Sequence, residues 1–122
     1  MHGLETIIAM NNHAATQARG QRLFNCCPDW AEPDWKQFDR LELGGCITEH
    51  KDNDDEYTNG GQSAANAEFF TVYGRFHEPD GTCEAITDIV DPRQALAVAG
   101  ELALLSGLRV EVCTSLMEVE PK

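Results

Sequence analysis

The clearest strand signal in the sequence is Phe69-Phe70-Thr71-Val72-Tyr73-Gly74-Arg75-Phe76, a run rich in aromatic and β-branched residues. Its alternation predicts a strand over 68–76 with Phe70, Val72, Gly74 and Phe76 on one face. The next residues, Glu78-Pro79-Asp80-Gly81, have the composition of a tight turn. We therefore expect residues 82–89 to return as the second strand of a hairpin.

A helix and a third strand follow this hairpin. Asp91 is a typical N-cap, Pro92 suits the first helical position, and Gly107 is a typical C-terminal cap. These signals predict a helix over 92–106. Apolar residues then alternate with polar ones over 108–113, which predicts a third strand with one buried face. The resulting β-β-α-β unit, residues 67–122, predicts an α+β domain in which a helix covers a three-stranded antiparallel sheet.

The earlier part of the chain is predicted to hold less regular structure. Residues 1–22 form a predicted helix ended by Gly20, with a thin apolar stripe made by Leu4, Ile7, Ile8, Asn11, Ala14, Ala15 and Ala18. Residues 23–66 are acidic and aromatic, and we predict mostly loop there. One short helix is expected from Trp35 to Leu41, closed by Gly44-Gly45. At 122 residues the chain fits a single domain, residues 1–122.

Charge and cysteine content narrow the class of protein. A formal net charge of -12 argues against direct binding to nucleic acid or an anionic membrane, since both require a basic surface. The chain shows no basic-then-apolar export signal and no apolar stretch of membrane-spanning length. Its five cysteines are an odd number without regular spacing, which favours reduced thiols. The sequence therefore predicts a cytoplasmic protein.

The acidic charge is concentrated near the two tryptophans. Residues 26–60 contain ten acidic and three basic side chains, a net charge of -7. Carboxylates beside exposed aromatic rings are suited to a basic protein surface, because the charges steer the encounter and the rings anchor it. The predicted partner-binding residues are Asp29, Trp30, Asp34, Trp35, Asp52, Asp54, Asp55 and Glu56. The alternative is that the tryptophans are buried and the carboxylates only solvate a loop.

No catalytic or phosphate-binding motif is present, so we predict a protein that is not an enzyme and carries no cofactor. Three alternatives remain open. Cys26, Cys27, Cys46 and His50 have the composition of a structural zinc site, although no C-x₂-C spacing is present. A small-ligand-sequestering protein or small enzyme would have its site between the sheet and the first helix. A homodimer would form through the stripe of residues 4–18 or through a sheet edge. Cys83 and Cys113 are expected to face each other, or the core, from neighbouring strands.

The chain resembles one group of proteins in three features: the hairpin-helix-strand unit, the small size and acidity of the domain, and the acidic loop Asp52-Asn53-Asp54-Asp55-Glu56. These are the small accessory proteins of phages and other mobile elements, of the anti-CRISPR type. The resemblance implies an inhibitor that binds the basic, nucleic-acid-binding surface of a bacterial defence complex in the host cytoplasm. The group has no shared motif, so the resemblance assigns no role to any single residue.

Overall fold

A computed structural model describes residues 18–50 and 56–113 of the chain. The final residues of the predicted first helix are helical over 18–23 (α1), and the rest of that prediction lies outside the described residues. The other elements are β1 (Phe38–His50), β2 (Glu56–Gln62), β3 (Phe69–Phe76), β4 (Cys83–Ile89), α2 (Pro92–Ser106) and β5 (Val110–Val112). Two 3₁₀ turns, Pro28–Trp30 and Trp35–Gln37, precede β1. No helix in this part of the chain is long and apolar enough to cross a membrane.

The strands form one five-stranded sheet centred on β1. β2, β1, β3 and β4 are neighbours in that order and run antiparallel. β5 runs parallel to β1 and pairs with residues 41–43, while β2 pairs with residues 45–50 on the same side of β1. The α+β class, the β3–β4 hairpin and the following helix and strand are confirmed. The predicted three-stranded sheet is wrong, because β5 pairs with β1 and with neither strand of the hairpin.

The prediction of a loop-rich segment over 23–66 is also wrong, since that segment supplies the central strand. Leu41 and Leu43 point into the core, whereas Glu42 points to the opposite face. This is the two-residue period of a strand. A single 3₁₀ turn replaces the predicted helix at Trp35, and Gly44-Gly45 lie inside β1, where they end no element. In the sequence, the charged residues on the outer face of β1 obscure the alternation by which a strand is recognised.

Helix α2 covers one face of the sheet. Ala95, Val98, Ala99 and Leu102 are its buried residues, and they join a core that includes Leu41, Leu43, Phe70 and Val72. Its predicted caps are confirmed: the Asp91 side chain accepts hydrogen bonds from the Arg93 and Gln94 amides, and Gly107 is left-handed with φ 75°. The helix therefore begins and ends where local capping chemistry dictates.

The segment after α1 closes the outer edge of β4. The Asn25 side chain accepts from the Asp88 amide at 2.8 Å and donates to the Asp88 carbonyl at 2.9 Å. The Cys26 amide donates to the Ile86 carbonyl at 3.0 Å. These bonds occupy backbone groups that an edge strand otherwise exposes. Gly20 does not end α1 as predicted. It lies within the helix, buried against the backbone of Trp30.

Gly74 is required where β3 passes under Phe38. A Cβ atom at this position would lie 2.6 Å from the Phe38 ring, so we expect Gly74→Ala to destabilise the fold by about 1–3 kcal/mol. Gly100 in α2 is the matched control, because nothing lies within 4 Å of the added Cβ. Gly100→Ala should stabilise by roughly 0.5–1 kcal/mol. Urea denaturation measures both, and a Gly74→Ala variant as stable as the parent would contradict this packing.

Candidate functional site

The sheet has a second face, opposite α2, which we call the open face. This face carries Glu42, of which only 8% of the surface is exposed. Arg75 donates to both carboxylate oxygens of Glu42, through Nε and through Nη2 at 2.8 Å, and Arg40 Nε donates at 3.1 Å. Arg75 also donates through Nη1 to the Gly81 carbonyl. Hydrogen bonding from Arg75 lowers the pKa of Glu42, which holds the carboxylate ionised at this partly buried position.

A second set of polar side chains lies beside this pair. The Thr71 hydroxyl donates to Asp88 Oδ1 at 2.6 Å, and Cys46 Sγ lies 3.5 Å from the Thr71 oxygen and 3.2 Å from the Tyr73 oxygen. Thr71 has one proton, which it gives to Asp88, so the Cys46 thiol must donate to Thr71. Tyr73 must then donate to Cys46. The result is a one-directional chain of hydrogen bonds from Tyr73 to Asp88, and burial, followed by the Cys46 bond, raises the pKa of Tyr73.

Cys83 and Cys113 are exposed on the open face, so the expectation that they face each other or the core from neighbouring strands is wrong. They line a cleft of about 270 Å³ together with Glu42, Gly44, Gly60, Gly61, Tyr73 and Arg75. Cys83 is on β4 and Cys113 follows β5, with β3 and β1 between them. Three strand spacings amount to about 14 Å, which excludes a disulfide within this sheet. Burial raises the pKa of both thiols, which disfavours the nucleophilic thiolate.

The predicted zinc ligands do not form a metal site among the residues that the structure describes. The Cys46 thiol is bonded within the Tyr73–Asp88 chain, and the Cys27 thiol donates to the Ile86 carbonyl at 3.7 Å. Within 18–50 and 56–113, no three His, Cys, Asp or Glu side chains are grouped as metal ligands. The side chain of His50 lies outside the described set.

The segment between α1 and β1 presents one tryptophan and buries much of the other. Trp30 is 46% exposed. Trp35 packs at the core edge, with ring centroids 6.1 Å from Phe24 and 6.4 Å from Phe38, and donates through Nε1 to Glu32 at 2.6 Å. The Trp30 backbone is left-handed (φ 54°), as is that of Asp29 (φ 55°). Two consecutive non-glycine residues in this region cost roughly 1–2 kcal/mol each.

Four carboxylates surround this segment: Asp29, Glu32, Asp34 and Glu84. No Lys, Arg or His side chain in the described part of the chain forms an ion pair with any of them. Glu32 and Glu84 line a cleft of about 360 Å³ whose other walls include Pro28, Ala31, Pro33, Phe38 and Ile86. We call Asp29, Trp30, Glu32, Asp34 and Glu84 the acidic Trp30 surface.

The structure separates the two halves of the predicted site. Asp29, Trp30 and Asp34 are exposed together before β1, whereas Trp35 packs against the core. Asp52, Asp54 and Asp55 lie outside the described residues. Glu56 begins β2 opposite His50, at the far end of β1. A strand of thirteen residues spans about 40 Å, so the Glu56 backbone is remote from the tryptophans.

Sequence reasoning missed Glu84, Asp88 and Tyr73. Each reaches its site through the pairing of β4 or β3 with its neighbours, and no local motif marks any of them. Comparison of the chain with protein-family models, with curated proteins and with solved structures finds no match in any of the three. A function for this chain must therefore be inferred from the chemistry of its sites.

Glu42 should stabilise the fold only while it is ionised. Its folded-state pKa is depressed, so its contribution is present above the unfolded value of about 4.3 and is lost as pH falls through the folded pKa. We expect Glu42→Gln to cost about 1–3 kcal/mol at pH 7 and much less near pH 3. Exposed Glu78→Gln, the control, should change stability by less than about 0.5 kcal/mol. A pH-independent effect of Glu42→Gln in urea denaturation would contradict the ion-pair assignment.

Proposed function

We propose that the chain is a non-enzymatic binding protein whose acidic Trp30 surface docks against a basic surface of a protein partner. The observation that carries the proposal is the group of carboxylates in and beside the segment that holds the exposed Trp30, none of which is ion-paired with a described cation. Elsewhere in the described sheet, Asp39, Glu42 and Glu111 are each within ion-pairing distance of an arginine. Carboxylates that lack such partners keep their full attraction for an incoming cation.

Trp30 is suited to anchor such a contact. The hydrogen bond from its amide to the Cys27 carbonyl, at 3.0 Å, and that from the Ala31 amide to the Pro28 carbonyl, at 3.1 Å, fix the local backbone. Close packing of Gly20 against the Trp30 carbonyl leaves the backbone little room to move. An anchor held in one conformation loses less entropy on binding. Exposed tryptophans of this kind commonly contribute much of the energy of an interface.

The cleft beside Trp30 fits the long basic side chains of a partner. Its apolar walls, from Pro28, Ala31 and Pro33, would contact the methylene stem of lysine or arginine. Glu32 and Glu84 would meet the charged end. Because Glu32 already accepts from Trp35 Nε1, its carboxylate has a fixed orientation.

The identity of the partner stays a prediction from the sequence. A nucleic-acid-binding surface of a bacterial defence complex is rich in lysine and arginine, and it would bind this acidic surface in place of its phosphate ligand. We propose inhibition by occlusion as the mechanism, with the protein acting stoichiometrically in the cytoplasm of the host cell. The resemblance to anti-CRISPR-type accessory proteins and the charge placement support this proposal.

Two variants with equal charge change test where binding occurs. Glu32→Gln/Glu84→Gln neutralises two carboxylates of the acidic Trp30 surface, and Glu68→Gln/Asp91→Asn neutralises two at the opposite end of the sheet. Glutamine and asparagine preserve the hydrogen bonds that Glu32, Glu68 and Asp91 accept. The full-length protein captures its partner from lysates of bacteria with active defence systems, and biolayer interferometry then gives Kd at two salt concentrations.

We expect the Glu32/Glu84 pair to weaken binding about tenfold at low salt, because two attractive charges are removed. Trp30→Ala should weaken it roughly 30-fold, the effect of losing about 2 kcal/mol. The Glu68/Asp91 pair should leave Kd within about twofold. Equal losses from both pairs would show that net charge alone governs binding and would contradict the assigned surface.

A further inference from the structure

A separate cleft of about 260 Å³ lies on the open face, on the other side of Tyr73 from the two thiols. Its lining residues are Thr58, Gly60, Phe69, Thr71, Tyr73, Ala85 and Asp88. Among the lining residues that the structure describes, Asp88 is the one formally charged side chain. Ala85 also lines the cleft of about 360 Å³, but no residue of the acidic Trp30 surface lines the cleft beside Asp88, so inferences about it do not rest on the proposed function.

The hydrogen-bond chain fixes the chemical character of this cleft. Each donor in this hydrogen-bond chain gives its single proton to the next group: Tyr73 to Cys46, Cys46 to Thr71, and Thr71 to Asp88. These groups therefore have no proton left to donate to a ligand. The Tyr73 oxygen and the Asp88 carboxylate remain as acceptors; the carboxylate is also hydrogen-bonded to the Cys26 thiol and still has lone pairs to offer a ligand. A ligand that satisfies them must be a hydrogen-bond donor.

Two aromatic rings border the same space. Phe69, Thr71 and Tyr73 alternate along one face of β3, and Thr71 is paired with Asp88 across to β4. Phe69 and Tyr73 are four residues apart, which places their Cα atoms about 13 Å from each other along the strand. The Asp88 carboxylate thus lies beside the middle of the interval between the rings. Aromatic faces attract cations through their quadrupole, whereas they offer nothing comparable to an anion.

No described cation neutralises Asp88. Its carboxylate has no Lys, Arg or His within ion-pairing distance in residues 18–50 and 56–113. Arg22 lines another cleft together with Asp88, but its guanidinium is paired with Glu101 at 2.5 Å. Burial raises the pKa of the neighbouring Cys26 thiol, and the charge of Asp88 and a hydrogen bond to Asp88 raise it further.

We infer that this cleft binds an organic cation, an alkylammonium or guanidinium group. Asp88 would serve as the counter-ion, the Tyr73 oxygen as a hydrogen-bond acceptor, and the rings of Phe69 and Tyr73 as cation–π surfaces. The same group occurs in free amines and at the ends of lysine and arginine side chains. The cleft volume admits the group with a short alkyl stem, whichever of these molecules carries it.

Titration of the full ¹⁵N-labelled chain with n-butylammonium chloride, followed by amide chemical shifts, tests the inference. We expect saturable shifts at Phe69, Thr71, Tyr73 and Asp88, and none with 1-butanol, which has a similar shape but no charge. Asp88→Asn should weaken binding at least tenfold, while the Asn25 bonds to the residue 88 backbone preserve the fold. Phe69→Leu and Tyr73→Leu should each weaken it about two- to fivefold.

Asp91→Asn is the matched control, since it removes one charge three residues away and asparagine also caps helices. It should leave binding unchanged. N-acetyl-lysine-methylamide and N-acetyl-arginine-methylamide distinguish the source: tighter binding of these probes indicates a partner side chain, and tighter binding of n-butylammonium indicates a free amine. Absence of saturable shifts, equal shifts with 1-butanol, or unchanged affinity in Asp88→Asn would overturn the inference. None of these results bears on binding through the acidic Trp30 surface.

Discussion

β1 is paired along both of its edges, and the other elements take their positions from it. β3 follows one edge, and β5 and β2 share the other in succession. Leu41 and Leu43 consequently enter the core under α2, while Glu42 and Cys46 face the opposite side. A shift of register by one residue would exchange the two faces and bury the charged one. The strand therefore fixes the core and the open face together.

Both candidate binding surfaces depend on that arrangement. The acidic Trp30 surface lies where the chain enters β1, and Glu84 joins it from β4, close to the hairpin turn. Gly60 of β2 lines the cleft beside Asp88 together with Tyr73 of β3 and Asp88 of β4. Thus strand pairing, more than local sequence, decides which side chains meet. Both surfaces present carboxylates that form no ion pair with a described cation, yet they use different residues.

The parts that the sequence predicted well are those governed by local chemistry. The bounds of α2 follow from Asp91, Pro92 and Gly107, and the hairpin follows from alternating aromatic residues and a proline–glycine turn. β1 was missed because its evidence is non-local. Glu42 is tolerated inside the sheet because two arginines neutralise it: Arg40, and above all Arg75, which lies thirty-three positions later in the sequence. The sequence does not show this pairing, and charged residues next to a glycine pair therefore indicate a loop.

The same distinction applies to the candidate sites. Composition drew attention to residues 29–35, and the structure keeps Asp29, Trp30 and Asp34 exposed together there. Composition alone could not show that Trp35 packs against Phe24 and Phe38, or that Glu56 starts a strand at the far end of β1. No sequence pattern marks Asp88 or Tyr73, because the hydrogen bonds that connect them pass through Cys46 and Thr71, which lie on two different strands.

Amide hydrogen exchange along β1 is the most direct test of this account. The amides of residues 41–46 lie in a strand with neighbours on both sides, so they should exchange only through global unfolding, as slowly as those in the middle of α2. Exchange of residues 41–46 as fast as that of the exposed turn at residues 78–81 would mean that the segment is a loop. Both binding surfaces would then lose the strand that positions them.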